Sequence, residues 1–534
     1  MMNSFKILYL YPEEFWGQSN LMVIFNRISN YLNMNINTSN KEIKEEFIDL
    51  RNESLPKFSL ETNKEYREAL KKKLQEKYNQ FKFDLVAISC YSSFNYINTI
   101  EVANLIKKYV NANCFIVVGG IHPTLCPEDF QTGNFPNYIY NTYSKNFNPI
   151  DFLIKEEGEI PFFKLIQSLI DKNYNFQNNL ENKCKILPTE ILQDLNELPI
   201  LNLDLFKSYG KKISNYKGVW LDFSRGCIFR CKYCPNSEKY INCYRNLRLK
   251  TIDKCIKELR IIEETNWLSI DYVFITDMIF LPKRSARDSF FKKLEEDISE
   301  NGKFNFKIQI MDRVDVCSKE DLKNYKKFNM VPNIGLESGS ETLLYRMGKI
   351  LGKNKKDIQK GIQRYLKKTE NIIKISNKID LPIFFNYLIG VPGSDKETMK
   401  ENEDFFLSER FNGKSLADKY HIILKFNKFL GYFGSELYNK ADELYGTKYY
   451  YKKWWKIFDE DQVYYASLVN PSNNLTFKES INLSLNFIRE FLKKQNKNGN
   501  PYYSLVNLLR WKEEGIQGYD LLNLIKSKRM SNLE

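Results

Sequence analysis

Three cysteines within eight residues, Cys227, Cys231 and Cys234, are the part of the chain best suited to chemistry. Their C-x3-C-x2-C spacing places three thiolates on one short loop, and such a loop can ligate three irons of a [4Fe–4S] cluster. The fourth iron then keeps an open position at which another molecule can bind. The spacing therefore predicts a catalytic iron–sulfur cluster rather than one that only carries electrons.

Two other interpretations of these cysteines are possible. A structural zinc site needs a fourth ligand, usually Cys or His, and often takes it from a second C-x2-C pair. The next cysteines along the chain, Cys243 and Cys255, do not form such a pair, and the chain has only two histidines. A redox-active pair of Cys231 and Cys234 would leave Cys227 without a role. The cluster interpretation is therefore favoured.

The cysteine segment resembles the radical S-adenosylmethionine (SAM) enzymes, whose motif is C-x3-C-x-aromatic-C, with Tyr233 in the aromatic position. The resemblance implies that the amino and carboxylate groups of SAM chelate the open iron. An electron from the cluster would then cleave SAM to a 5′-deoxyadenosyl radical, which the protein positions and shields. Such oxygen-sensitive chemistry implies a low-potential electron donor such as flavodoxin or ferredoxin.

The composition predicts a soluble cytoplasmic protein. Of its 534 residues 43% are hydrophobic, and we find neither a secretory signal peptide nor a run of 18 uncharged apolar residues. The ten cysteines are scattered rather than arranged as a secreted disulfide framework. The net charge of +14 comes from lysines interleaved with acids, so neither a membrane nor a nucleic-acid partner is expected.

Three apolar runs in the first quarter of the chain predict strands at residues 5–12, 83–89 and 114–120, with a helical period over residues 97–106 between the last two. Continuous apolar strands that alternate with helices predict an α/β fold with a parallel, doubly wound sheet. Ligands of such sheets bind beyond the carboxyl ends of the strands.

This pattern, closed by Glu156-Glu157-Gly158-Glu159, resembles the Rossmann-like cobalamin-binding domain that precedes many radical SAM cores. The resemblance implies cobalamin-binding residues at the three strand ends, and these are Tyr11, Pro12, Ser89, Tyr91, Ser92, Gly119 and Gly120. The two glycines would let the backbone approach the nucleotide tail of the cofactor, since they carry no Cβ.

The D-x-H-x-x-G motif, whose histidine binds cobalt in other cobalamin enzymes, is absent after the first strand. His122 follows the wrong strand to replace it, and we interpret it as a locally hydrogen-bonded loop residue. Cobalamin would therefore bind without a histidine below the cobalt. The alternative is a Rossmann-like domain that has lost its cofactor or that binds substrate instead.

Six apolar segments after residue 213 predict strands at residues 219–223, 272–275, 306–310, 332–336, 383–389 and 422–426. With the helices between them they predict a partial (β/α)6 barrel of the TIM type, the fold that the resemblance also implies, with its chemistry at the carboxyl ends of the strands. The predicted domains are a cobalamin-binding domain at 1–170, a linker at 171–212, the radical SAM barrel at 213–440 and a mainly helical region at 441–534.

The resemblance assigns SAM binding to Tyr233 and to five residues at the ends of barrel strands: Asp277, Arg313, Glu337, Ser338 and Gly390. Asp277 would face the amino group of SAM, Arg313 its carboxylate and Glu337 its ribose, while Gly390 would admit the adenine. The residues alone allow other roles. Arg313 could pair with Asp312 or Asp315, and Ser338 or Ser340 could cap a helix.

The predicted function is that of a cobalamin-dependent radical SAM methyltransferase, which methylates an unactivated carbon or phosphorus centre of a small molecule or peptide. Enzymes of this architecture also catalyse cyclisation or rearrangement, and no residue of the sequence separates these outcomes. A metal-binding interaction protein without turnover is the non-enzymatic alternative, but it would need no nucleoside pocket at the strand ends.

Overall fold

The apolar runs near the N-terminus form buried parallel strands, because a strand covered on both faces carries apolar residues throughout. The computed structural model describes residues 4–13, 20–37, 41–56, 63–137, 139, 147–171, 183–235, 246–457 and 468–503. The six strands of the first sheet are β1 (Phe5–Tyr11), β3 (Ile43–Asp49), β4 (Leu85–Ser89), β5 (Phe115–Gly119), β6 (Phe152–Ile154) and β7 (Lys185–Ile186).

The order of the first sheet is β3-β1-β4-β5-β6-β7, and all its strands are parallel. This is a doubly wound order whose direction of winding reverses between β1 and β4, and ligands of such sheets bind beside that reversal. The three predicted strands are confirmed. The edge strand β3 was not predicted, because Lys44, Glu45 and Glu46 give it a polar sequence.

The helices of the first domain flank this sheet. They are α1 (Ile24–Asn35), α2 (Asn63–Phe81), α3 (Tyr96–Leu105), α4 (Ile121–Leu125), α5 (Glu159–Ile170) and α6 (Asp204–Lys207). Helix α1 packs against α5, and α2 packs against α3. The domain is therefore the layered α/β structure that the sequence predicts.

The second sheet is the wall of the barrel, with the parallel order β15-β14-β13-β12-β11-β8-β2. Its strands are β2 (Asn20–Met22), β8 (Gly218–Leu221), β11 (Tyr272–Ile275), β12 (Lys307–Arg313), β13 (Met330–Glu337), β14 (Phe384–Ile389) and β15 (Ile423–Lys428). The six predicted barrel strands are confirmed. The seventh, β2, comes from the N-terminal part of the chain and was not predicted.

Helices alternate with the barrel strands, as predicted. They are α7 (Ile252–Glu264), α8 (Arg284–Asn301), α9 (Lys319–Lys327), α10 (Glu341–Arg346), α11 (Lys355–Lys378), α12 (Lys396–Leu407) and α13 (Leu416–Lys419). Asp395 and Thr398 form a capping box at the start of α12, and the Ser394 hydroxyl donates to the Val391 carbonyl.

The C-terminal region contains α14 (Glu436–Tyr445), the short paired strands β16 (Lys448–Tyr449) and β17 (Val469–Asn470), and α15 (Phe477–Lys497). Helix α15 agrees with the mainly helical region predicted at 441–534, and it packs against α12, α13 and β14. Residues 504–534 of that region lie outside the described residues. No helix in the described part of the chain is long and apolar enough to cross a membrane.

Candidate active site

The cysteine loop lies beyond the carboxyl end of β8. A short strand, β9 (Ser224–Arg225), pairs with β10 (Arg248–Leu249) and leads into the loop. Two backbone hydrogen bonds hold Lys232 in the loop: its N–H donates to the Met347 carbonyl at 2.9 Å, and its carbonyl accepts from the Leu437 N–H at 2.9 Å. The loop is therefore fixed from two sides, by the segment after α10 and by the start of α14.

The donor set of the loop fits an iron–sulfur cluster better than zinc. Cys231 is buried, while Cys227 and Cys234 are partly exposed. The two histidines of the chain, His122 and His421, lie elsewhere, the first in the N-terminal domain and the second at the amino end of β15. No imidazole is therefore at hand as a fourth zinc ligand, whereas three thiolates suffice for a cluster with an open iron.

Arg313, the last residue of β12, contacts the cysteine loop directly. Its Nη1 lies 3.3 Å from Cys231 Sγ, and its guanidinium lies 3.7 Å from the ring centroid of Phe229. The guanidinium also binds Asp315 through Nε at 2.9 Å and Nη2 at 3.0 Å. The pairing with Asp315 was one of the two predicted alternatives, and contact with SAM remains a prediction. Asp312 pairs instead with Arg287.

Tyr233 and Glu337 are brought together by Lys349, which the sequence analysis did not single out. Lys349 Nζ lies 3.1 Å from Glu337 Oε1 and 3.3 Å from Tyr233 Oη, and the ammonium is buried. Glu337 has a φ of 71° at an irregularity in the pairing of β13 with β14. A left-handed backbone at a residue other than glycine stores strain and is typical of functional sites. Lys349 lies in a lysine-rich stretch without a motif, which is why its role was missed.

Asp277 holds the start of the cysteine loop. Its carboxylate accepts hydrogen bonds from the Phe223 N–H at 2.8 Å, the Ser224 N–H at 2.9 Å and the Ser224 hydroxyl at 2.6 Å. Burial raises the pKa of Asp277 to about 6. Both carboxylate oxygens thus position the backbone that leads to Cys227, and the predicted contact of Asp277 with the SAM amino group remains a prediction.

The raised pKa of Asp277 makes a testable difference to stability. Because the carboxyl binds its proton more tightly in the folded than in the unfolded chain, its contribution is largest below pH 4 and is lost as the pH rises through about 6. We expect cluster-free wild type to lose about 2 kcal/mol relative to D277N between pH 4 and 7. Urea unfolding at each pH measures this, with D271N, an exposed aspartate just before the same strand, as the control. A constant difference between wild type and D277N would contradict the assignment.

Ser338 directly follows β13, and Gly390 directly follows β14. The Ser338 hydroxyl donates to Asn402 Oδ1 at 2.8 Å and accepts from the Ser340 N–H at 3.0 Å. Ser340 caps α10 by accepting from the Leu343 N–H, so helix capping, the alternative for these serines, is observed. Gly390 has a φ of 69°, and open space lies where its Cβ would be, which suits a close approach by a ligand. Their contacts with SAM remain predictions.

The predicted cobalamin residues of β4 and β5 lie at one edge of the first sheet. Gly119 and Gly120 follow β5, and Gly120 has a φ of 124°. A Cβ on Gly120 would lie 2.5 Å from the Cys90 carbonyl oxygen, so glycine is required for the loops after β4 and β5 to pack together. Ser89 is buried at the end of β4, and Ser92 caps the turn that follows by accepting from the Phe94 N–H.

Tyr11 and Pro12, at the end of β1, are both buried. The Tyr11 hydroxyl donates to the Met22 carbonyl of β2 at 3.0 Å. The buried Arg51 guanidinium lies 4.8 Å from the Tyr11 ring centroid and 5.5 Å from that of Tyr91. Tyr11 therefore packs in the contact between the first domain and the barrel sheet, and its role toward cobalamin remains a prediction.

His122 is fully buried beneath the loop after β5. Its Nδ1 lies 2.9 Å from the Ser93 hydroxyl, and its Nε2 lies 3.6 Å from Asp129 Oδ2. His122, Cys126 and Asp129 lie close enough to share a metal ion. However, the Asp129 carboxylate already accepts from Trp455 Nε1 at 2.6 Å and pairs with Lys456 at 2.8 Å. The predicted local role of His122 agrees with these contacts.

A buried network of charges joins the first domain to the start of the cysteine loop. Glu159, at the N-terminus of α5, pairs with Arg225 at 2.8 Å, two residues before Cys227. Glu157 pairs with Arg225 and with Arg248, and Asp222 pairs with Arg225 at 3.0 Å. The carboxyl edge of the first sheet thus faces the carboxyl end of β8. In the sequence, Glu156 to Glu159 mark only the end of a domain, and no local pattern there predicts these pairings.

The fold and the site define a class of protein: a doubly wound domain with no D-x-H-x-x-G motif after its first strand, joined to a partial barrel with a C-x3-C-x2-C loop after its first inner strand. These are the features of the cobalamin-binding radical SAM proteins. Residues 221–406 match the model of the radical SAM superfamily, and residues 62–139 match that of the B12 binding domain. The chain therefore contains a radical SAM domain and a B12 binding domain. Its radical SAM domain implies a [4Fe–4S] cluster and SAM as cofactors, and its B12 domain implies cobalamin.

Two proteins that are related to this chain by sequence have names that state an enzymatic activity. An uncharacterized methyltransferase of Pyrococcus horikoshii is 24% identical over 341 residues, which is 61% of this chain and 64% of that protein. The anaerobic magnesium-protoporphyrin IX monomethyl ester cyclase of Synechocystis is 30% identical over 134 residues, 23% of each chain. The chain thus spans less than two thirds of the length of these curated relatives.

Two solved structures share the fold. The radical SAM methyltransferase TsrM of Kitasatospora setae, with cobalamin and a [4Fe–4S] cluster bound, is 14% identical, with a TM-score of 0.58 over 83% of this chain and 80% of that one. The cobalamin-dependent radical SAM enzyme OxsB is 18% identical, with a TM-score of 0.54 over 82% of this chain and 55% of that one. At these identities the likeness confirms the predicted architecture of two α/β domains.

Proposed function

We propose that the protein is a cobalamin-dependent radical SAM methyltransferase, which methylates an unactivated carbon or phosphorus centre of a small molecule or peptide. One observation carries the proposal: the pairing of Glu159 with Arg225 sets the ligand-binding edge of the B12 domain against the cysteine loop of the barrel. Cobalamin bound at the edge of the B12 domain and SAM bound at the cysteine loop would lie at the same barrel mouth. A methyl group carried by cobalamin could pass there to a substrate that the SAM-derived radical has activated.

The cluster supplies the electron that cleaves SAM, and cobalamin supplies a carrier for the methyl group. The residues of the chain hold these groups in place. Arg313 sets a positive charge beside the Cys231 thiolate, which stabilises the ligand and orients the loop. Lys349 ties Tyr233 to Glu337 behind the same loop. Asp277 fixes the backbone that leads into it.

The relatives support methyl transfer over the alternatives. The Pyrococcus protein is named a methyltransferase, and TsrM is a methyltransferase whose structure was determined with tryptophan as substrate. A non-methylating cyclase is the second candidate, favoured by the 30% identity of a shorter segment to the Synechocystis cyclase. A low-potential protein such as flavodoxin or ferredoxin would supply the electron to either.

An anaerobic assay tests the proposal. The protein is reconstituted with iron and sulfide, then incubated with reductant and SAM, with or without cobalamin. We expect 5′-deoxyadenosine and S-adenosylhomocysteine, the second only when cobalamin is present, and cobalamin that stays with the protein through gel filtration. Deoxyadenosine without S-adenosylhomocysteine would favour the cyclase. Absence of deoxyadenosine would overturn the radical mechanism, and loss of cobalamin on the column would overturn its role.

A further inference from the structure

Strands β14 and β15 are neighbours in the wall of the barrel. Each has one face toward the outside of the barrel and one face toward its lumen. On the outward face, Tyr387 of β14 and Phe426 of β15 contact Phe487 of α15, with ring centroids 5.6 and 6.0 Å apart. Because side chains alternate along a strand, Asn386 and Lys425 point the opposite way, into the lumen. Both are half-buried there.

The pairing register places Lys425 in the same layer of the lumen as the residues beside the cluster loop. Lys425 lies opposite Asn386, Asn386 opposite Gly335, and Gly335 opposite Arg313. Residues in register on parallel strands share a face of the sheet. The Lys425 side chain therefore projects into the same space as Arg313, which contacts Cys231.

Lys425 differs from the other cations around the lumen in having no partner among the residues that the structure describes. Arg313 is paired with Asp315, and Lys349 with Glu337. Within the described part of the chain, Lys425 Nζ makes no hydrogen bond and no ion pair, and burial alone lowers its pKa to about 8. A half-buried ammonium without a counter-ion is unfavourable, and a ligand that carries a negative charge would stabilise it.

The surroundings of Lys425 indicate what kind of ligand this is. Asn386 and Asn427 lie beside it, with Asn427 Nδ2 3.4 Å from Asn386 Oδ1, and supply amide groups. On the same face of the sheet, deeper in the lumen, lie the apolar side chains of Met311, Phe384 and Phe274 and the amides of Gln309 and Asn333, all half-buried. One unpaired positive charge next to amides and above partly apolar walls matches a single negative charge on an amphipathic body.

We propose that Lys425 binds the carboxylate of the substrate, and that the substrate is an amphipathic carboxylic acid whose apolar part lies in the barrel lumen. This inference rests on the proposed function, because it assigns the substrate of the same site. It names a residue for which neither the cysteine loop nor the B12 domain has a use. Since only the ammonium form binds an anion strongly, affinity for the carboxylate is expected to fall as the pH rises above about 8.

The test compares 1-naphthylacetate with its neutral analogue 1-naphthylacetamide, by equilibrium dialysis against the full chain reconstituted with cluster and cobalamin and without SAM. The two probes share an apolar body and differ in the charge. We expect the acid to bind at least about tenfold more tightly than the amide, because a charge-assisted hydrogen bond is lost with the amide. K425Q should remove this preference, and K425R should retain most of it.

The matched control is K307Q, which removes an exposed lysine at the other end of a barrel strand and should leave the preference intact. The proposal is overturned if the acid fails to bind in the millimolar range, if the amide binds equally well, or if the preference persists in K425Q. It is also overturned if 1-naphthyl phosphate binds more tightly than the acid, because a phosphate site would then be indicated. Binding is measured without turnover, so this outcome is independent of whether SAM is cleaved.

Discussion

C231A is expected to fold but to hold no stable cluster, and its SAM cleavage should fall by more than about 100-fold. Loss of a residue that only supports a metal ligand already costs 10- to 100-fold, and the loss of a ligand itself costs more. Cys231 lies on a loop outside the regular strands and helices, beside the Arg313 guanidinium. The sheets do not depend on it. Iron and sulfide analysis, the visible spectrum of the cluster and the yield of 5′-deoxyadenosine measure the effect.

C317A provides the matched control, because Cys317 is a buried cysteine outside the loop. It should keep its full iron content and its SAM cleavage, with at most a moderate loss of stability from the small cavity. A C231A protein that retained four irons and four sulfides per chain would contradict the assignment of the loop as the cluster site. Circular dichroism of both variants shows whether the fold is unchanged.

E258A is expected to destabilise the protein by about 3–5 kcal/mol, since removing one partner from a buried ion pair leaves the other charge uncompensated. Glu258 on α7 is fully buried, and its two oxygens bind the Arg27 guanidinium at 2.5 and 2.6 Å and the Lys250 ammonium at 3.0 Å. Without Glu258, the buried cations Arg27 and Lys250 would have Asp222 as their one remaining acidic partner among the described residues. The midpoint of the first thermal unfolding transition measures the effect.

Because Arg27 lies on α1 of the first domain and Glu258 on a barrel helix, E258A should also loosen the contact between the domains. We expect faster proteolysis in the segment that joins them. E264A is the control, because Glu264 is exposed near the end of the same helix, and its unfolding midpoint should stay close to that of wild type. Equal midpoints for E258A and E264A would show that the network does not hold the domains together.

The strands that carry apolar runs could be predicted from the sequence, and the structure confirms them. The run Tyr272–Ile275 forms β11 with the predicted bounds, because burial on both faces leaves a local signal in the sequence. The edge strands β2 and β3 could not be predicted in this way. Asn20–Met22 is only three residues long, and Ile43–Asp49 carries charges, so their strand character comes from their partners rather than from their own composition.

The candidate site was predictable where a motif marks it and unpredictable where distant residues meet. The cysteine spacing, Glu337 and Gly390 are visible as short patterns. Lys349 and Lys425 are ordinary lysines in the sequence, and only the fold shows that one is paired behind the loop and that the other is isolated in the lumen. The role of Trp455 was likewise hidden, because its partner Asp129 is 326 residues away. Trp454 and Trp455 are both buried.

Strand β2 has a consequence for how the chain acquires its structure. Asn20–Met22 pairs with residues 218–220 of β8, about 200 residues later in the order of synthesis. On the ribosome, the N-terminal segment emerges long before its partner, so this part of the first domain has to wait for the barrel before its hydrogen bonds are complete. A shortened chain that begins after the linker would expose the backbone edge of β8, and such unpaired edges promote aggregation. The two domains are thus distinct in form but interdependent in folding.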